Sequence, residues 1–211
     1  MVRVALPPPE LAPAPLFLVL PAGTALVRIF DPTSHGATAL QFRSFGPIHR
    51  FDHHRGGGHA GTPSQDPERA IYYAALTLSS CLVEIFGDTR IVRTERRYIA
   101  RPHTTRDHRL LDLRGPGAMK AGSVAALTKV ADPPLSQAWS RFFYEHPETY
   151  SDIDGLMYFN AHNDEESLAL YVRAADALIC SHDAIIRLDD EALRPAILAT
   201  AADNNLLVSP R

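Results

Sequence analysis

The sequence predicts an α+β fold in a single domain, a mixed β-sheet core with flanking helices. Two observations carry this. Short strand-like runs and stretches of helical periodicity are interspersed, but not in the strict strand–helix–strand order that a doubly wound parallel sheet needs. The 211 residues are 45% apolar and 21% charged, an ordinary globular balance with enough length for one core and too little for two.

Residues 1–23 are rich in Pro and Ala and read as an extended arm ahead of a domain spanning 24–211. Ala25–Phe30 reads as a strand stopped by Asp31-Pro32, and Gln41–Phe45 as a second. Residues 52–69 hold four glycines and two prolines and read as a loop. Ala70–Ala74 is a short apolar strand. Thr77 or Ser79 can cap a helix running through Phe86, with Gly87 just past its end. Strands follow at Arg97–Ala100 and Arg109–Leu113. Helices are expected at Ala118–Val130 and, after Pro133-Pro134, at Ser136–Glu145. Leu156–Phe159, Leu168–Val172 and Ile185–Leu188 read as strands. A last helix, from Glu191 to about Ala202, is capped by Asp189 or Asp190 and repeats Leu193, Ile197 and Ala201 at the spacing of one buried face.

Composition removes several classes of function. The net charge of −3 offers no basic field for a polyanion, so direct nucleic-acid binding is not expected. Cys81 and Cys180 are far apart and support neither a disulfide framework nor a Cys-rich zinc site. The apolar run Leu16–Leu20 is too short and too broken by Pro13, Pro15 and Pro21 to span a membrane, and it fits a secretory signal poorly. A cytoplasmic protein is the expectation. Gly56-Gly57-Gly58 lacks both the Walker lysine and a strand–GxGxxG–helix context, and no GxSxG or HExxH motif occurs.

His49, His53, His54 and His59 crowd one segment, and such clusters can hold metals. No pair has helical i, i+4 spacing, however, and Gly-rich chain holds ligands loosely. The histidines read mainly as loop residues or substrate contacts, and no metal is expected. A second constellation is more informative. Arg28 lies mid-strand, Arg50 precedes Phe51 just ahead of the glycine loop, and Tyr72 and Tyr73 lie near the end of a short strand. Glu84 falls at the edge of a helical stripe made by Leu78, Cys81, Leu82 and Ile85, where an acid can reach a cleft at the margin of the core. Spacing alone favours the plainer alternative of an Arg–Glu ion pair and a packing tyrosine.

The order of these residues resembles the RES domain family. Leu26-Val27-Arg28-Ile29 is similar to that family's opening strand with its arginine, and Arg50-Phe51-Asp52 to its second arginine in a Gly-Arg-Phe-Asn motif. Ile71-Tyr72-Tyr73-Ala74-Ala75 followed by Cys81-Leu82-Val83-Glu84 resembles the Tyr-x-Ala strand and the Ala-x-x-Glu helix. The 84 − 73 = 11 spacing selects Tyr73 over Tyr72. Asp154-Gly155-Leu156-Met157-Tyr158 resembles the strand before the family serine, whose position is Asn160 here. Ile48, His49 and Asp52 replace the glycines and asparagine around the second arginine. The resemblance covers residues 26–173 and leaves 174–211 as a C-terminal strand and helix.

The resemblance implies an ADP-ribosyltransferase-like fold and an enzyme that consumes NAD by cleaving its nicotinamide–ribose bond. Phosphorolysis, hydrolysis and ADP-ribosyl transfer all remain open. It also implies a toxin paired with an antitoxin, a separate chain carrying a helix-turn-helix domain. Glu84, Tyr73 and Arg28 are then the candidate catalytic residues. Arg28, Arg50, Tyr73, Asn160 and His53 are the candidates for holding NAD. Asn can donate and accept where the serine stood, but it supplies no hydroxyl. The competing readings are a non-catalytic nucleotide-binding domain, a protein-interaction domain, and a metalloenzyme built on the histidines.

Overall fold

Most of the expected strands form, and four of them, joined by one from the proline-rich arm, build one central sheet. The structure, a computed structural model, describes residues 3–34, 36–56 and 61–210. Its strands are β1 (Phe17–Leu20), β2 (Arg28–Phe30), β3 (Phe45–Gly46), β4 (Ser64–Gln65), β5 (Ile71–Ala75), β6 (Ile91–Val92), β7 (Tyr98–Ala100), β8 (His103–Thr104), β9 (His108–Asp112), β10 (Gly155–Phe159), β11 (Glu166–Tyr171), β12 (Leu178–Ile179), β13 (Ile185–Arg187) and β14 (Leu207–Val208). The α-helices are α1 (Leu78–Phe86), α2 (Gly117–Lys120), α3 (Pro133–Glu145), α4 (Pro147–Tyr150) and α5 (Arg194–Asp203). None of the described helices is long and apolar enough to cross a membrane.

The central sheet has the order β1-β9-β10-β11-β5. Only the β9–β10 pair is parallel, so the sheet is mixed, as expected. A second, antiparallel sheet has the order β13-β7-β2. The alternation along each central strand divides the core. Ile71, Leu156, Tyr158, Ala169 and Tyr171 face one cluster with Phe51, Trp139, Phe143 and Tyr150. Tyr72, Met157, Leu168 and Leu170 face the opposite one with Leu20 and Leu26. Both faces are covered, which is why these strands read as unbroken apolar runs. A third cluster packs α1 and α5 against the second sheet through Cys81, Leu82, Val83, Phe86, Ile197 and Ala201.

Asp154-Gly155, at the start of β10, is a structural lock. The Asp154 carboxylate accepts two bonds from Arg106, at 2.7 and 3.0 Å, and one from the Arg109 amide at 3.0 Å. A Cβ on Gly155 would lie 2.3 Å from the Ala169 carbonyl oxygen, so only glycine lets β10 and β11 approach this closely.

Three expectations need correction. The proline-rich arm of residues 1–23 is not free of regular structure: its apolar run is β1, the edge strand of the central sheet. The chain ahead of it is tied down where Trp139 donates to the Ala5 carbonyl at 2.7 Å and the Ala14 amide to the Lys120 carbonyl at 2.9 Å. The expected helix over 118–130 is broken into α2 and a 3-10 turn, Ala125–Lys129. Gly122 between them has φ +91°, a left-handed conformation that no helix continues through. Finally, α5 starts at Arg194 rather than Glu191, although Ile197 and Ala201 are buried on it as expected.

Candidate active site

A cavity of about 900 Å³ opens beside the end of β5, between α1, β2 and the turn 48–52. The local sequence dictates the approach. β5 ends at Ala75, two residues turn the chain, and the Thr77 hydroxyl accepts the Ser80 amide at 2.9 Å to start α1. Cys81, Leu82, Val83 and Phe86 are buried, whereas Leu78 and Ile85 are half-buried, so the core-facing stripe is rotated from the expected one. Glu84 remains at its edge, 28% exposed, on the cavity wall.

The structure brings Arg28, Arg50, Tyr73 and Glu84 to this one cavity. Arg50 Nη1 is 4.0 Å from Glu84 Oε1. Burial pushes the Glu84 carboxyl above its ordinary range, and the neighbouring Arg50 only partly opposes this. Arg28 reaches in from β2 with its guanidinium 4.2 Å from the centre of the Tyr72 ring. It donates to the carbonyls of Tyr73 and Gln41, both at 3.3 Å, and its buried Nε has no protein acceptor among the described residues. Burial lowers its pKa, but a guanidinium stays charged at any working pH.

The Tyr73 hydroxyl is already engaged. It donates to Asp52 Oδ1 at 2.8 Å and accepts the Phe51 amide at 3.1 Å, so it has no proton left to offer a ligand. Tyr73 nonetheless lines the cavity.

Two expected ligand contacts fall elsewhere. His53 is fully buried, with Tyr144 and Tyr171 each 4.5 Å from its ring centre, and it takes no part in the cavity wall. His54 is buried too, its Nε2 against the Arg43 carbonyl at 3.0 Å, and His59 lies outside the described residues. Asn160 is also fully buried. Its Oδ1 accepts the amides of His162 and Asn163 at 2.9 Å, and its Nδ2 donates to Asn163 Oδ1 at 2.7 Å and Ser80 Oγ at 3.2 Å. It shapes the turn after β10 and does not face the cavity.

Sequence reasoning named Asp52 and Tyr158 only inside the resemblance motifs, gave them no role, and missed Arg43 and His162. Arg43 and Asp52 pair across nine residues, and the alternation of Gln41, Arg43 and Phe45 in an expected strand was a signal for Arg43. His162 lines the cavity near Glu84, its ring occupying the space a side chain on Gly87 would need. Among the described residues no group of three His, Cys, Asp or Glu could hold a metal ion.

Comparison with curated proteins finds no match. Among solved structures, a chain of the M. tuberculosis MbcT–MbcA toxin–antitoxin complex is similar, with a TM-score of 0.55 at 14% identity, over 86% of this chain and 92% of that one. The two chains share a mixed α+β fold. The RES domain profile matches residues 25–191, past Arg173 and through β13. With that match spanning more than half its length, the chain belongs to the RES domain family.

Proposed function

We propose that this protein is an NAD-consuming enzyme and the toxin of a toxin–antitoxin pair. The observation that carries the reading is one cavity, large enough for a dinucleotide, in which a half-buried carboxylate, Glu84, stands beside Arg50 and which Arg28 also lines.

The chemistry suits those groups. Cleavage of the bond between nicotinamide nitrogen and ribose C1 sends the electron pair out with nicotinamide, which leaves neutral. Positive charge develops on C1 and the ring oxygen, and a fixed carboxylate stabilises it more than it stabilises the ground state. Glu84 has that role and must be ionised, a state the neighbouring Arg50 favours. The pyrophosphate bears two negative charges that planar guanidinium groups grip with paired N–H donors, the role of Arg28 and Arg50. Arg43, drawn to Asp52 at 2.7 Å, is already neutralised and is not counted with them. The acceptor is water, phosphate or a macromolecular nucleophile, and in each case its proton passes to solvent. The substrate is a cytoplasmic metabolite, so the reading places the protein there. A toxin of this kind requires a neutralising antitoxin, and the expected partner is a separate chain with a helix-turn-helix domain.

The test is nicotinamide release from NAD by the purified protein, with and without inorganic phosphate, followed by identification of the sugar product. Wild type should turn over and Glu84→Gln should not. An inert wild type, or an undiminished Glu84→Gln, removes the reading.

A further inference from the structure

We propose that Asp52 and the Tyr73 hydroxyl are positioning groups for Arg50: together they clamp the turn 48–52 so that its guanidinium stands against Glu84. The inference rests on the reading of this cavity as the NAD site.

The turn's hydrogen bonds converge on these two side chains. Asp52 Oδ2 accepts the amides of Ile48 at 2.5 Å and His49 at 2.9 Å, the two residues before Arg50. The Tyr73 hydroxyl accepts the amide of Phe51, the residue after it, at 3.1 Å. The same hydroxyl gives its proton to Asp52 Oδ1 at 2.8 Å, so the two struts are one unit spanning Arg50 on both sides. Arg43 Nη2 reaches both carboxylate oxygens at 2.7 Å and offsets the charge of a fully buried acid. On the far side, α3 holds the same turn through Gln137 to the His49 carbonyl at 3.1 Å and Ser140 to the Phe51 carbonyl at 2.7 Å. Arg50 itself stays 24% exposed on the cavity wall, paired only loosely with Glu84. A rigid base under a free guanidinium is what a group needs if its charge must meet a carboxylate and a phosphate at fixed distances. The clamp also assigns Tyr73 a different use from a ligand donor, since its one proton is committed inside the turn.

The experiment is a double-mutant analysis of nicotinamide release, with thermal unfolding of every variant. Asp52→Asn and Tyr73→Phe are each combined with Arg50→Lys, which keeps the charge and a measurable rate. The clamp predicts that Asp52→Asn alone lowers kcat/KM about tenfold or more and Tyr73→Phe several-fold, while in the Arg50→Lys background each adds less than about twofold. Full multiplication of the losses would overturn it, as would a wild-type rate for Arg50→Lys. Should Asp52→Asn fail to fold, the Tyr73→Phe pair carries the test, because it keeps the ring and removes only the strut. An inactive wild type removes the NAD reading itself. An active wild type with multiplicative losses removes the clamp and leaves that reading standing.

Discussion

Arg50 Nη1 lies 4.0 Å from Glu84 Oε1, and that buried oxygen has no hydrogen-bond donor among the described residues. The carboxylate is held by charge alone, in a place where burial favours its protonated form. Its pKa is therefore raised, and the acid limb of kcat/KM for nicotinamide release should fall above the usual glutamate value of about 4.3. Arg50→Gln takes away a positive charge that favours the ionised state, so the limb should move to higher pH. A limb that stays put in Arg50→Gln would show that Glu84 is not the group titrating. A folded-state pKa raised above the unfolded one means that ionised Glu84 lowers stability as pH rises through it. At neutral pH, Glu84→Gln should accordingly unfold no earlier than wild type, which separates its loss of activity from a loss of fold.

The Asp154 lock predicts sensitivity to acid. Burial alone would raise this carboxyl, but the His108 ring 3.6 Å away and the bonds from Arg106 and the Arg109 amide pull it well below its ordinary value. The stability it contributes is present above the unfolded aspartate pKa of about 3.9 and is lost as pH falls toward the depressed folded value. Asp154→Asn should cost about 2–4 kcal/mol at pH 7, since it removes the carboxylate that Arg106 bonds to and weakens the start of β10. In denaturant titrations that difference should shrink steadily below pH 4. A cost that does not change with pH would mean that packing around β10, not the carboxylate charge, holds the start of this central strand.

Local signals in the sequence went as far as local forces go. The cap at Thr77, the helix to Phe86 and the strand Ile71–Ala75 are set by neighbours within a few residues, and they carry Tyr73 and Glu84 to the right place. β1 was hidden because its partner, β9, lies some ninety residues away and prolines flank the run. The helix break at Gly122 depends on a left-handed turn against Pro9, again a distant contact. Asn160 sits where the family resemblance places a site residue, but its bonds go to the turn that presents His162. The Arg43–Asp52–Tyr73 network joins three segments, and no periodicity reports such a union.

Gly87 separates propensity from packing. It follows α1 with φ −58°, ordinary right-handed geometry, and so does not use the left-handed freedom that makes glycine common at helix ends. By propensity alone, Gly87→Ala would stabilise the protein by about 0.5–1 kcal/mol. Its Cβ would lie 2.6 Å from the His162 ring and 2.5 Å from the Val83 carbonyl oxygen. Relieving two such overlaps costs about 1–3 kcal/mol, so the steric effect wins. The variant should melt lower than wild type and shift the His162 ring resonances in an NMR spectrum. A rise in melting temperature would mean that the ring moves aside without cost.

His53 offers the opposite sign. Both ring nitrogens are buried without hydrogen-bond partners among the described residues, and its ring packs against those of Tyr144 and Tyr171. Desolvation, with the His54 ring and the Arg69 guanidinium close by, keeps its pKa well below the ordinary histidine value. Leaving two polar atoms unsatisfied costs about 1–3 kcal/mol, whereas leucine has nearly the same volume and none of that cost. His53→Leu should be at least as stable as wild type and should release nicotinamide at an unchanged rate, since the side chain does not reach the cavity. The gain should depend on pH in a definite direction. Below about 6.5 the unfolded chain binds a proton at His53 that the folded protein excludes, so wild type loses stability as pH falls. His53→Leu escapes that loss, and its advantage in a denaturant titration should be larger at pH 5 than at pH 8. A smaller advantage at pH 5 would mean that the folded protein takes up the proton at this ring after all.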